Sequence, residues 1–114
     1  MTNIKPKIAI SIGDLNGIGS EVILKTFEDT RMLELCTPVI FANAKIVSFL
    51  RKELNIDIAI HGIDKIEQLV VGKINVLNVW REGVNLELGK NDDVVGSYAI
   101  KSFVAATKAL KDGL

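Results

Sequence analysis

Short β-branched apolar runs alternate along this chain with stretches whose apolar residues recur at helical spacing. That alternation restricts the fold to α/β: a mostly parallel, helix-covered sheet in three layers. Lys7 to Ile12 reads as a strand, with Ile8, Ile10 and Ile12 on one face and the small Ala9 and Ser11 on the other. A glycine-rich turn follows, then a helix from Gly19 to Phe27 that buries Ile23, Leu24 and Phe27, with Ser20 as its cap. Asp29-Thr30 marks a break before a short helix from Arg31 to Leu35. Pro38 to Ala42 is the next strand and Ala44 to Leu54 a helix with Ile46, Val47, Leu50 and Leu54 inward. Ile56 to Ile60 reads as a strand, Asp64 to Val70 as a short helix, and Ile74 to Val79 as a strand. After a polar loop containing Gly83 and Gly89, the longest helix begins near Asp92, capped by Asn91 or Asp92. Its expected inward face is Val95, Tyr98 or Ala99, Phe103, Ala106 and Leu110, with Gly113 as its left-handed terminator.

Composition narrows the function classes. The 114 residues allow one domain at most, and an apolar content of 48% with 5% aromatic leaves a core of Ile, Leu, Val and Ala. Fourteen basic residues balance fourteen acidic ones, so nothing favours nucleic acid or an anionic membrane as a partner. The single Cys36 rules out an internal disulfide, suits the cytoplasm, and reads as a small buried apolar residue. The apolar run Ile8 to Ile12 is too short for a signal-peptide core or a membrane span. A crossover helix normally returns the chain to its sheet, and here the sequence given stops at Leu114, so a longer parent is expected.

The one motif with chemical content is Gly13-Asp14-Leu15-Asn16-Gly17-Ile18-Gly19-Ser20-Glu21, between the first strand and the first helix. Strand carboxyl ends are where such sheets bind ligands, and a helix start offers amide donors. Gly17 and Gly19 are expected to hold backbone that a Cβ would obstruct, through a positive φ or close ligand approach. The spacing is not the dinucleotide fingerprint, whose third glycine would fall at Val22, and no Gly-Lys-Ser/Thr follows for a P-loop. Taken bare, the motif is either a ligand turn or a plain strand-to-helix connector.

Its wording resembles the 4-hydroxythreonine-4-phosphate dehydrogenase family, where Gly-(Glu/Asp)-Pro-Ala-Gly-Ile-Gly-Pro-Glu is usual. Here Leu15 and Asn16 replace Pro-Ala, and Ser20 replaces the second proline. The related isocitrate and isopropylmalate dehydrogenases carry a shorter turn. Glu21 to Lys25, Thr37 to Ile40, and Gly89-Lys90 through Gly96 and Ala99 continue the similarity. The resemblance implies an incomplete, amino-terminal portion of an isocitrate/isopropylmalate dehydrogenase-like fold. It implies an NAD-dependent, divalent-metal-assisted oxidation of 4-phosphohydroxy-L-threonine, with decarboxylation, in pyridoxal phosphate biosynthesis. The parent would be a homodimer whose metal is held by three histidines, with a lysine, an asparagine and an arginine on the substrate. Those positions lie beyond residue 114, so no catalytic or metal-binding residue is assigned here and the chain alone is expected to be inactive. Asp14, Gly17 and Gly19 are the candidate cofactor-binding residues.

Other residues have plainer readings. His61 is expected in a loop after a strand, and Glu21 is satisfied by the helix dipole. Asp14 either accepts a ligand hydroxyl or braces the turn. Trp80-Arg81 is expected to cover surface rather than line a cleft, and Lys90 to be solvated. Two further readings stand beside the first. One is a related dehydrogenase of phospho-threonate or phospho-erythronate; the other is a non-catalytic α/β binding or assembly module.

Overall fold

The computed structural model describes residues 5–13, 15, 17–81 and 93–114. The expected caps Asn91 and Asp92, the loop glycines Gly83 and Gly89, Lys90 and Asp14 lie outside them. Strands β1 (Lys7–Ser11), β2 (Thr37–Ala42), β3 (Ile60–Ile63) and β4 (Ile74–Asn78) form one sheet in the order β1-β2-β4-β3, with every pairing parallel. Helices α1 (Gly19–Glu28), α2 (Met32–Leu35), α3 (Ala44–Glu53) and α4 (Asp93–Lys111) connect or follow the strands.

Strand alternation decides which helix goes where. Ile10, Ile40, Ala42, Ile74 and Val76 face one side and pack with Leu24 and Phe27 of α1 and Ile46, Val47 and Leu50 of α3. Val39, Phe41 and Leu77 face the other, against Ala105, Ala106 and Ala109 of α4 and Ile66 and Leu69. The connections that step from β1 to β2 to β3 therefore use one face, and those that step back use the other. Right-handed crossovers require that division. Each Ile, Leu, Val or Phe that is fully buried contributes about 1.5–3 kcal/mol.

Four expectations change. The strand read at 56–60 lies instead at Ile60–Ile63, because β4 reaches back only to Ile74, opposite Ile60. Before that point other groups take the backbone: the amide of Ile56 bonds the Arg51 carbonyl, Glu28 accepts the amide of Asp57, and Arg51 Nη1 donates to the Ile58 carbonyl. The helix read at 64–70 is only a 3-10 turn, Ile66–Gln68. Gln68 Oε1 takes the amides of Asp64 and Lys65, and Asn75 takes both the amide and the carbonyl of Val70. Those side chains end the turn before an α-helix can propagate. Ser20 does not cap α1: it is buried inside the helix with Oγ 3.5 Å from the Ile12 carbonyl, and Ile18 holds the cap position. On α4, Phe103 and Leu110 point outward at 62% and 58% exposure. Alanines and Ser102 take the inner face instead, letting the helix lie close on the sheet.

Other readings hold. Cys36 is buried with its Sγ 3.6 Å from the Met32 carbonyl. Gly113 adopts φ 94°, the left-handed terminator of α4. At the break after α1, Asp29 accepts the Arg31 amide at 3.0 Å, and the Arg31 guanidinium holds its carboxyl below the ordinary range.

Candidate functional site at the carboxyl edge of the sheet

The glycine-rich turn leaves the carboxyl end of β1, an edge strand. Gly13 turns the chain with φ 74°, Leu15 is fully buried, and Gly17, Ile18 and Gly19 lead into α1 with Ile18 77% exposed. Of the two reasons expected for glycine at position 19, a positive φ is not the one found. A Cβ there would meet nothing closer than the Ile12 carbonyl oxygen at 4.0 Å, so internal packing does not demand glycine. Glu21 pairs with Lys25 at 2.9 Å on the exposed side of α1, and the Lys25 ammonium is held above its ordinary value by that carboxylate.

The amino-terminal half of α4 is pinned across the carboxyl ends of β1 and β2. Ser102 is fully buried; its Oγ accepts the Ile12 amide at 2.8 Å and donates to the Phe41 carbonyl. Trp80 is 4% exposed, so it is a core residue and not the surface cover read from the sequence. Its ring lies 4.7 Å from that of Tyr98, tilted by 50°, because the helix above it closes over the end of β4.

A second feature was not legible in the sequence. The strand order reverses at β4, which inserts between β2 and β3, and a crevice opens at the carboxyl ends of β2 and β4, where residues 43–45 lead into α3. Open α/β sheets bind ligands at such reversals. The crevice encloses about 210 Å³ between Asn43, Ala44, Lys45, Asn78 and Arg81. Asn43 caps α3 by accepting the amides of Lys45 (2.9 Å) and Ile46 (3.3 Å), and donates to the Trp80 carbonyl at 2.6 Å. Asn78 accepts the Ala44 amide at 2.8 Å and donates to Asp64 Oδ1 at 3.0 Å. Arg81, which follows β4, reaches Asp64 at 3.6 Å with its side chain 83% exposed. Asparagine after a strand and before an apolar helical stripe is the signal that could have found Asn43.

His61 is far from this edge. It sits half-buried in β3 opposite Asn75, not in a loop, and lines a groove near Glu28 and Lys73 at the amino ends of the strands. Among the described residues no three His, Cys, Asp or Glu side chains gather where they could hold a metal ion. Among the described residues no helix is long and apolar enough to cross a membrane.

The sheet order and the two-sided helix cover define an open, doubly wound α/β unit, a class that binds ligands at the strand carboxyl ends. Within that class the chain has specific relatives. A 4-hydroxythreonine-4-phosphate dehydrogenase of Bacteroides thetaiotaomicron is 36% identical over 110 residues, which is 96% of this chain and 30% of the relative. A Clostridium botulinum protein provisionally named D-threonate 4-phosphate dehydrogenase is 27% identical over 116 residues, 99% of this chain and 35% of its own. The crystal structure of a Burkholderia phymatum 4-hydroxythreonine-4-phosphate dehydrogenase shares the fold with a TM-score of 0.85 at 22% identity, over 97% of this chain and 34% of that one. No protein-family model matches the chain. The chain thus resembles an amino-terminal portion of 4-hydroxythreonine-4-phosphate dehydrogenase and spans about a third of the length of these relatives.

Proposed function

We propose that the chain is the amino-terminal part of a dehydrogenase that oxidises a phosphorylated hydroxy acid, with 4-phosphohydroxy-L-threonine as the substrate. The observation that carries this reading is the 36% identity to the Bacteroides relative along 96% of the chain. NAD, when bound, would take the hydride from the hydroxyl-bearing carbon. The part assigned to this chain is to offer the turn at Asp14, Gly17 and Gly19 to the cofactor, where Gly19 leaves the backbone open to close approach. The divalent metal, its histidine ligands and the decarboxylation belong to polypeptide outside these residues. The whole protein is read as a cytoplasmic homodimer in pyridoxal phosphate biosynthesis. A second substrate, a phosphorylated threonate, is favoured by the relatives named for that activity.

The coding sequence after Leu114 tests the reading. An open frame with histidine-bearing loops should follow, and its purified product should form NADH from 4-phosphohydroxy-L-threonine with a divalent metal. Preference for phospho-threonate would move the assignment to the second substrate. A stop codon directly after Leu114 would favour a self-contained binding or assembly module and overturn both.

A further inference from the structure

We infer that the outward face of α4 is the seat of a second amphipathic helix, acidic along one edge, supplied by the same protein beyond residue 114. This rests on the reading of the chain as part of a longer polypeptide, but not on that polypeptide's activity. α4 is apolar on two sides. Val95, Tyr98, Ser102 and Ala106 are buried on the side toward the sheet. Ile100, Phe103, Val104 and Leu110 form a second stripe opposite Ser102, each more than half exposed, with Thr107 within it. A surface helix has one apolar stripe and a polar outer face, whereas a helix apolar on both sides lies between two layers. Beside the stripe a groove of about 410 Å³ runs between α4 and the end of β4, lined by Val79, Trp80, Ile100, Lys101 and Val104. Such a groove admits the side-chain ridge of a packing helix. Charge decides what kind of helix fits. Residues 94–111 carry three lysines, Lys101, Lys108 and Lys111, and no carboxylate. At about 3.6 residues per turn, Lys101 and Lys108 fall along one flank of the stripe and Lys111 at its end. Lys108 and Lys111 form no ion pair among the described residues. The helix dipole accounts for lysine in the last turn, but not for the apolar stripe beside it. A second copy would bring three more lysines and no carboxylate from its own α4, so it buries the stripe without pairing the flank. Relatives similar over nearly the whole of this chain are about three times its length, and that further polypeptide is the occupant the size difference supports.

Thiol labelling of a Thr107→Cys variant, read by mass spectrometry, tests the cover, with the buried Cys36 as an internal reference. The substitution keeps a small side chain on the exposed stripe and touches no group assigned to the cofactor. In the dilute 114-residue chain the new thiol should react as fast as in a free peptide. In the whole protein it should react about a hundredfold more slowly, because a packed face is reached only through local opening. A carbodiimide, which joins an ammonium to a carboxylate in contact with it, should link Lys108 or Lys111 to an Asp or Glu beyond residue 114 of the same polypeptide. Lys108→Glu with Lys111→Glu reverses the flank and should speed labelling in the whole protein about fivefold, the factor set by one exposed ion pair. Equal labelling rates in the two proteins would overturn the inference. So would protection that fades on dilution with links between two copies, which makes the cover a second copy, or protection that appears only with an added protein or anionic vesicles. A stop codon directly after Leu114 would overturn it together with the dehydrogenase reading. Otherwise the two fail separately: NADH formation with a reactive thiol at 107 removes only the cover, and protection without NADH formation removes only the dehydrogenase.

Discussion

Gly62 of β3 faces Ala44 at the start of α3, and a Cβ there would lie 3.0 Å from the Cβ of Ala44. The neighbour must move, so Gly62→Ala should destabilise the chain by about 1–2 kcal/mol, seen as a lower urea midpoint at unchanged slope. Gly19 is the opposite case. Its Cβ position is open to 4.0 Å, so Gly19→Ala should leave the urea curve of this chain unaltered. In the longer parent the same change should impair NAD use, because the added methyl occupies the space a bound cofactor would approach. Wild-type kinetics in that variant would reduce the turn to a connector.

Elements are joined here by buried polar side chains whose partners are distant in sequence. Ser102 links α4 to both β1 and β2, so Ser102→Ala leaves the Ile12 amide and the Phe41 carbonyl without their partner. A loss of about 1–3 kcal/mol is expected, with amide exchange accelerating first in α4. Asn43→Ala removes a helix cap and the bond to Trp80 together and should cost about 2 kcal/mol. These residues also mark where sequence reading stopped. The alternation of Ile8, Ile10 and Ile12, and the stripe Ile46, Val47 and Leu50, were legible because burial on one face imposes a period. The wording of the turn from Gly13 to Glu21 pointed to the family. Asn75 and Ser102 were opaque, since a polar residue does not announce the carbonyl it will meet across the sheet; for Asn43 the cap on α3 was readable but its bond to the Trp80 carbonyl was not. The crevice was opaque for a related reason: it depends on strand order, and β4 inserting between β2 and β3 is decided by which faces the connections cover. The short reach of β4 likewise moved β3 away from the apolar run Ile56 to Ile60.

At the scale of the whole molecule, α4 presents Ile100, Phe103, Val104 and Leu110 outward at 58–67% exposure, and β1 is an edge strand among the described residues. With zero formal net charge, little repulsion opposes contact between copies. The purified chain should self-associate in light scattering across a concentration series, and Phe103→Glu should reduce the effect. A cooperatively unfolding monomer at every concentration would show that these faces need no cover. On the function proposed above, the chain supplies the scaffold and the ligand-facing edge, and the reacting centre lies outside it. The most direct measurement is NADH formation by the purified 114-residue chain, supplied with NAD, a divalent metal and 4-phosphohydroxy-L-threonine. A rate indistinguishable from a control without protein is expected. Turnover well above that control would place the reacting groups within these residues and contradict it.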